Sequence, residues 1–331
     1  MRIVVDCHCD FLVDVIRRYI NGELDTLVRR HLPRFQIAGV NVIFCPFAGD
    51  SNTFTSDTAT ALKYLEIAKK AVGMAGDKFA LVSSGADLKK SVQEGKIALL
   101  LGFEGAKPLR GDLELLEAFY ELGVRWIGLT WNGRNEVGDG VGVSSDRGLT
   151  PVGKKFVKAM QELGLIIDLS HASKRTFYDV LETVDCPVIV SHSNSWSLCP
   201  HPRNITDDQI IQIARRKGVI GVNFFPALLA RDRTPTIRDV VMHISYLRDI
   251  VGIEYIAIGP DFIDYADDVF ARSLAESTVD YGPTLRYPEG LEDVTKLPNL
   301  RAALAEEGFS QTEIDKIFGL NAMRVIDQLL R

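Results

Sequence analysis

Short, almost wholly apolar runs alternate along this chain with longer stretches in which apolar residues recur every three to four positions. Eight such runs cover residues 3–7, 40–45, 97–103, 124–130, 165–170, 188–191, 219–224 and 255–259. Each is near-continuously apolar or β-branched, as parallel strands are when both faces are covered. Between them, the spacing predicts helices over 56–72, 113–122, 151–163, 173–184, 206–216 and 237–251. Two capping-box patterns, Thr206-Asp207-Asp208-Gln209 and Ser310-Gln311-Thr312-Glu313, mark helix starts. Gly123, Gly164, Gly218 and Gly252 each stand between a helical stretch and a strand, where glycine supplies the left-handed residue that ends a helix. Eight strand-then-helix units predict a closed (β/α)8 barrel of the TIM type, as a single domain over residues 1–331. A doubly wound open sheet is the competing architecture, but the glycine-rich phosphate turn it often carries is missing from the sequence. Residues 262–298 break the alternation with a long polar and aromatic segment. Following the last strand, it is expected over the barrel mouth.

Composition narrows the function classes. With 46% hydrophobic and 25% charged residues, the 331-residue chain has the balance of a globular protein. The net charge of -6 is spread out, and no basic run could track a phosphate backbone, so no nucleic-acid partner is expected. No apolar run approaches the roughly 20 residues of a membrane span, and no membrane partner is expected. The chain opens on a strand, not on a charged leader and apolar core, so no signal peptide is expected. Five cysteines (Cys7, Cys9, Cys45, Cys186 and Cys199) are an odd number, read as reduced thiols in a cytoplasmic protein.

Candidate chemistry gathers where the expected strands end, which is where barrels of this type place their active sites. The first run ends in His8-Cys9-Asp10, the third in Glu104, the fifth in His171, the sixth in His192 and the eighth in Asp261. Three of the chain's six histidines are among these residues. His8 and Asp10 are two apart, so an extended strand would put both on one face, where they could bind one metal, and Cys7 and Cys9 on the other. Glu104 lies between Gly102 and Gly105, and a carboxylate there is costly to bury unpaired. His171 and His192 end consecutive strands, and imidazole is the commonest transition-metal ligand. Asp168 and the neighbouring serines could orient their rings. A carboxylate can bridge two metals roughly 3.5 Å apart. His31 and His243 read as structural, and His201 is left open. Arg203, in the loop after the sixth run, could clamp a substrate carboxylate through its planar fork, or fix the loop by a salt bridge.

With these residues in place, the chain resembles the membrane (renal) dipeptidase family of zinc metallopeptidases, in a cytosolic bacterial-type form. The likeness runs nearly end to end. It is carried by Asp6-Cys7-His8-Cys9-Asp10, Gly102-Phe103-Glu104-Gly105, Leu122-Gly123-Val124-Arg125, Asp168-Leu169-Ser170-His171, Ser191-His192-Ser193, Pro202-Arg203-Asn204 and Gly259-Pro260-Asp261-Phe262. The resemblance implies two Zn2+ ions, with His8 and Asp10 on the first, His171 and His192 on the second, and Glu104 bridging them. It implies that Arg203 holds the C-terminal carboxylate of a small dipeptide and that Asp261 handles its amino group and the transferred proton. The implied reaction is attack of a bridging hydroxide on the peptide carbonyl, with tolerance of L-Xaa–D-Xaa pairs. Homodimers are common in the family. Three positions depart from it. The histidine that follows Leu-Thr in mammalian members is Trp131 here, followed by Asn132. A tyrosine after the seventh strand is Phe225. The usual Asp-Phe-Asp-Gly becomes Asp261-Phe262-Ile263-Asp264. Trp131, Asn132 and Phe225 are therefore expected to shape the substrate pocket. They leave open another amide or cyclic-amide hydrolase of the same barrel type, acting on N-acyl amino acids or lactams.

Overall fold

A computed structural model of the chain describes residues 2–50, 55–263, 274–275, 277–282 and 285–330. Nine strands form one sheet: β1 (Val5–Asp6), β2 (Val42–Gly49), β3 (Phe79–Leu81), β4 (Ile97–Glu104), β5 (Val124–Gly128), β6 (Ile166–Asp168), β7 (Val190–Ser193), β8 (Ile220–Val222) and β9 (Ile256–Ile258). Eight of them lie in the order β6-β5-β4-β2-β1-β9-β8-β7, and all their pairings are parallel. The two ends of this path meet. Leu169 donates its N–H to the carbonyl of Ile189 at 2.8 Å, and Ile189 donates to that of Ile167 at 2.9 Å. The sheet is thereby joined into the expected (β/α)8 barrel.

β3 was not expected. It pairs with the start of β4 (Phe79↔Ile97), beside the stretch where β5 takes over, and so lies outside the ring. Three residues are too short a run to show a period. The helices α1 (Phe11–Ile20), α2 (Leu32–Ala38) and α3 (Gly85–Gln93), and the helix Leu297–Glu306, also went unpredicted. The first three occupy the β1–β2 and β3–β4 connections; α1 buries Phe11, Leu12, Val15 and Ile16 on one face, so its period is present in the sequence.

The barrel interior is filled from alternate strand positions: Val5 and Cys7, Val42 and Phe44, Ala98 and Leu100, Trp126, Ile166, Ile189, Val219 and Ala257. Trp126 is the largest of these and is fully buried. Its indole N–H donates to the carbonyl of Leu100 at 3.0 Å. It fits because Gly102 opposite has no side chain; a Cβ there would stand 2.2 Å from the indole. Below it, the helix Asn321–Leu329 adds Ala322, Met323, Val325 and Ile326 to the same apolar cluster and closes the N-terminal end. The floor is therefore dry and rigid, and His8 stands edge-on above the indole, with ring centroids 5.9 Å apart.

Bulges aim the strand ends. On β7, three residue steps from Val190 to Ser193 face two on β8, so Ser191 and His192 carry an extra residue. Such a bulge re-aims a side chain and strengthens the local twist. Within the long segment after β9, Leu274 and Tyr281 do lie over the mouth. Asp264, one of the departures noted above, lies outside the described residues. Among the described residues, no helix is long and apolar enough to cross a membrane.

Candidate metal centre

Six side chains converge at the C-terminal end of the barrel. Glu104 Oε1 lies 3.1 Å from His171 Nε2, 3.4 Å from His8 Nε2 and 3.5 Å from His192 Nε2. His8 Nε2 is 3.2 Å from Asp10 Oδ1 and 4.0 Å from Asp261 Oδ1. Among the described residues, ligand atoms within 4.8 Å of one another form two overlapping groups: His8, Glu104 and His192, and His8, Asp10 and Asp261. Asp261 thus stands among the ligand atoms and not only beside them.

The reason His8 and Asp10 meet is not strand alternation. β1 ends at Asp6, and Asp10 occupies the cap position where α1 begins, with φ -80°. The Cys7 amide bonds to Ile258 of β9 and the Cys9 amide to Phe44 of β2. The chain turns between them, so Cys7 packs inside the barrel and Cys9 outside it. The two cysteines do not share a face, and it is the turn into α1 that brings Asp10 round to His8.

Each of the other two histidines is oriented from behind. The His171 Nδ1–H donates to Asn132 Oδ1 at 2.8 Å. The Asn132 amide donates to Ser277 Oγ at 2.9 Å and Tyr281 Oη at 2.8 Å. The His192 Nδ1–H donates to Ser191 Oγ at 2.7 Å, and that hydroxyl donates to Asp168 Oδ2 at 2.5 Å. Asp168 Oδ1 accepts the backbone N–H groups of Ser170 and Ser191. Both imidazoles thus carry their hydrogen on Nδ1, an assignment the surrounding network dictates. Their Nε2 lone pairs then face each other at 3.0 Å. Two acceptors that close repel unless a cation lies beside them. Behind His8, Nδ1 has no partner among the described residues. Its Nε2 and Asp10 Oδ1 are also buried without a hydrogen bond, because their 3.2 Å approach is misaligned. Buried polar atoms left so are rare and costly. Imidazole and carboxylate donors without a thiolate fit a divalent metal such as zinc.

The backbone is strained at two of these residues. His171 and Asp261 have φ of 65° and 59°, a region that non-glycine residues seldom enter. At His171 the strained turn is held by bonds from Val141 N–H and Thr130 Oγ1 to its carbonyl. At Asp261, Tyr287 donates its hydroxyl to the carbonyl.

Electrostatics follow burial. Burial, with Arg203 and His8 nearby, holds His171 and His192 well below the ordinary histidine value, so both imidazoles are neutral. Burial also drives the Glu104 carboxyl well up, against the pull of His8. Asp261 is pushed up to about 6, again chiefly by burial. Burial works to lower His8, but the charges of Asp10 and Glu104 outweigh it and lift the group to about 10. Three carboxyl groups within 4.0 Å of the His8 Nε2 are surroundings that a bound cation would stabilise.

Above these groups is a cavity of about 30 Å3, lined by Asp10, Glu104, His171, Arg203, Asp261 and Asn223, and by the apolar Trp131, Phe225, Leu228 and Leu274 with Tyr281. Arg203 is buried there and its Nε has no hydrogen-bond partner among the described residues. Asn132, expected at the substrate, is instead buried with both ends of its amide bonded inside the protein. His201 bonds the carbonyl of Asp280 and the N–H of Arg203. His31 pairs with Asp14, and His243 accepts from the Ser195 N–H. Asn223, which donates to Asp261 Oδ2 at 3.0 Å, and Tyr281 were not anticipated. An asparagine directly after β8 was the signal for the first; nothing local pointed to the second.

The sequence pattern of the membrane dipeptidase family, peptidase family M19, matches residues 1–330. An uncharacterized dipeptidase of Schizosaccharomyces pombe is 34% identical over 97% of this chain and 80% of its own length. A solved dipeptidase structure, a metallopeptidase of family M19, is similar with a TM-score of 0.85 and 26% identity, covering 100% of this chain and 99% of that one. A metallopeptidase from Rhodobacter sphaeroides, liganded with a phosphinate mimic of the dipeptide L-Ala-D-Ala, shares the fold with a TM-score of 0.81, at 24% identity over 99% of each chain. A whole-chain family match and a centre of imidazoles and carboxylates at the mouth of the same barrel lead to one assignment: the chain belongs to the membrane dipeptidase family, M19, and is a metallo-dipeptidase.

Proposed function

We propose that this dipeptidase works with two zinc ions and cleaves dipeptides, L-Xaa–D-Xaa pairs among them. The observation that carries the reading is the pair of Nε2 lone pairs 3.0 Å apart, beside a buried carboxylate that touches three imidazoles. His8 and Asp10 would hold one ion, His171 and His192 the other, and Glu104 would lie between them. When bound, the metals supply Lewis-acid polarisation of the scissile carbonyl and a lowered pKa for water. The protein residues do the rest. Arg203 presents a buried guanidinium with a free N–H to the cavity, matched to the substrate's C-terminal carboxylate. Asp261, held through Oδ2 by Asn223, turns Oδ1 toward the centre, where it can bind the substrate amine and carry a proton to the leaving nitrogen. Trp131 and Phe225 are apolar walls that exclude water and face the substrate side chains. Trp131 lies 5.9 Å from the His171 ring and narrows the site where mammalian members have a histidine. The cysteines are all free, which fits a reducing compartment such as the cytoplasm.

The test is hydrolysis of a dipeptide panel by zinc-loaded protein, starting with L-Ala–D-Ala. N-acyl amino acids and lactams are run beside it. Cleavage lost on chelation and restored by about two equivalents of zinc per chain is the expected result. Turnover confined to lactams or N-acyl amino acids would replace the substrate assignment and keep the centre.

The Arg203 role makes a separate prediction. Arg203→Met is expected to raise KM for dipeptides by roughly 10- to 100-fold, the worth of a charged hydrogen bond. Dipeptide amides, which lack the carboxylate, should be affected little. Equal losses on both substrates would show that Arg203 serves only to fix its loop.

A further inference from the structure

Building on that two-metal reading, we infer that Tyr281 and Ser277 are positioning residues for His171. They act through Asn132, so that closing the barrel mouth completes the centre. The argument starts from space. A cavity of about 30 Å3 has room for one or two water molecules, whereas ligand pockets run to about 300–1,000 Å3. A dipeptide does not fit the site as it stands. A second cavity of about 400 Å3 is lined by His201, Pro226, Ala227, Ala230 and Arg231 among others. Tyr281 is buried and is common to the lining of both cavities. Moving its ring aside merges the two into a pocket of substrate size.

The same residue also reaches the metal ligand. Among the described residues, the Asn132 side chain has three hydrogen-bonding contacts, and two of them are the hydroxyls of Ser277 and Tyr281, which lie 145 and 149 residues further along the chain. The third is His171 Nδ1. With both amide hydrogens engaged by hydroxyl acceptors, Oδ1 is the atom left to face His171, and Nε2 of that ring is aimed at Glu104. The His171 backbone is strained, so its ring depends on this support more than a ligand on a regular strand would. The loop after β5 and the 277–282 segment fit closely together. At Gly142, a Cβ would stand 2.2 Å from Thr278 Oγ1. Further anchors are the bond between His201 Nε2 and the Asp280 carbonyl, and the packing of Tyr281 edge-on to Phe225. Opening the mouth for substrate thus removes two partners from Asn132, and closing it restores them.

Tyr281→Phe and Ser277→Ala each delete one hydroxyl and leave the wall of the cavity standing. Each is expected to lower kcat by about 3- to 10-fold with KM nearly unchanged, and the double variant by about 10- to 100-fold, as residues that orient metal ligands do. The second readout is the visible spectrum and chelator-competition affinity of the cobalt-substituted protein, which report ligand geometry without turnover. The double variant should shift the spectrum and release cobalt faster. Asn132→Asp should retain most of both properties, because its carboxylate still accepts from His171 and the two hydroxyls can turn to donate to it. Asn132→Leu should lose both; if that variant does not fold, the two hydroxyl deletions carry the test. Wild-type spectrum, affinity and kcat in the double variant would overturn the positioning role while leaving the two-metal reading intact. A wild-type protein that binds no cobalt or zinc would overturn both.

Discussion

Glu104→Gln is expected to leave the barrel folded and to cut kcat/KM by roughly two to three orders of magnitude. The substitution keeps the shape of the side chain and removes its charge. Among the described residues, Glu104 is the carboxylate that approaches His8, His171 and His192 at once, so its charge is shared by both halves of the proposed centre. A neutral amide cannot offset the two dications of the proposed centre, and its NH2 end would present hydrogens to imidazole lone pairs or to a metal. Metal content should fall toward one ion per chain or fewer, measured by atomic emission after gel filtration. The metal-free variant should melt no lower than metal-free wild type, because a buried carboxylate that is not fully paired costs stability. Full activity and two bound ions in this variant would remove Glu104 from the centre. The result also separates a structural defect from a chemical one, since the melting temperature and the metal content move independently.

Gly259→Ala is expected to cost at least about 3 kcal/mol of stability, at the upper end of what overpacking a core does. A Cβ at Gly259 would lie 1.9 Å from the carbonyl oxygen of Ser191 and 3.3 Å from the Cα of His192. Gly221 meets the same oxygen at 1.9 Å. The β7 bulge therefore turns the Ser191 carbonyl into a space that exists only because two glycines line it. The clash is with backbone, so no rotamer relieves it; β7 itself has to move. His192 is on that strand, and the same displacement should weaken metal binding. Urea denaturation of the metal-free protein checks the first effect, and zinc competition checks the second. A variant as stable as wild type would mean that the bulge has slack the geometry does not suggest.

Much of the centre was legible because barrels expose strand ends. Glu104, His171, His192 and Asp261 each follow an apolar run, and the alternation of runs and helices is encoded locally, residue against neighbouring residue. The pairing of His8 with Asp10 was recognised for a reason the structure corrects. Their two-residue spacing suggested one face of a strand, but β1 stops at Asp6 and the entry into α1 supplies the contact. Asn132 was read as a pocket residue from its place beside Trp131, and its partners show it standing behind His171.

What the sequence by itself determined is the class of fold, the residue types of the candidate centre and the end of the barrel where they collect. Hydrophobic periodicity specifies which faces are buried, and burial specifies the layers. Tertiary structure alone decided the rest. The hydrogen on Nδ1 of each imidazole depends on Asn132 in one case and on the Ser191–Asp168 pair in the other. The strained φ at His171 and Asp261 is imposed by bonds from Val141, Thr130 and Tyr287, and no glycine announces it. Tyr281 reaches Asn132 across 149 positions. Side-chain hydrogen bonds between distant segments leave no period in a sequence. They form only once the ring of strands has closed and placed those segments at the same mouth.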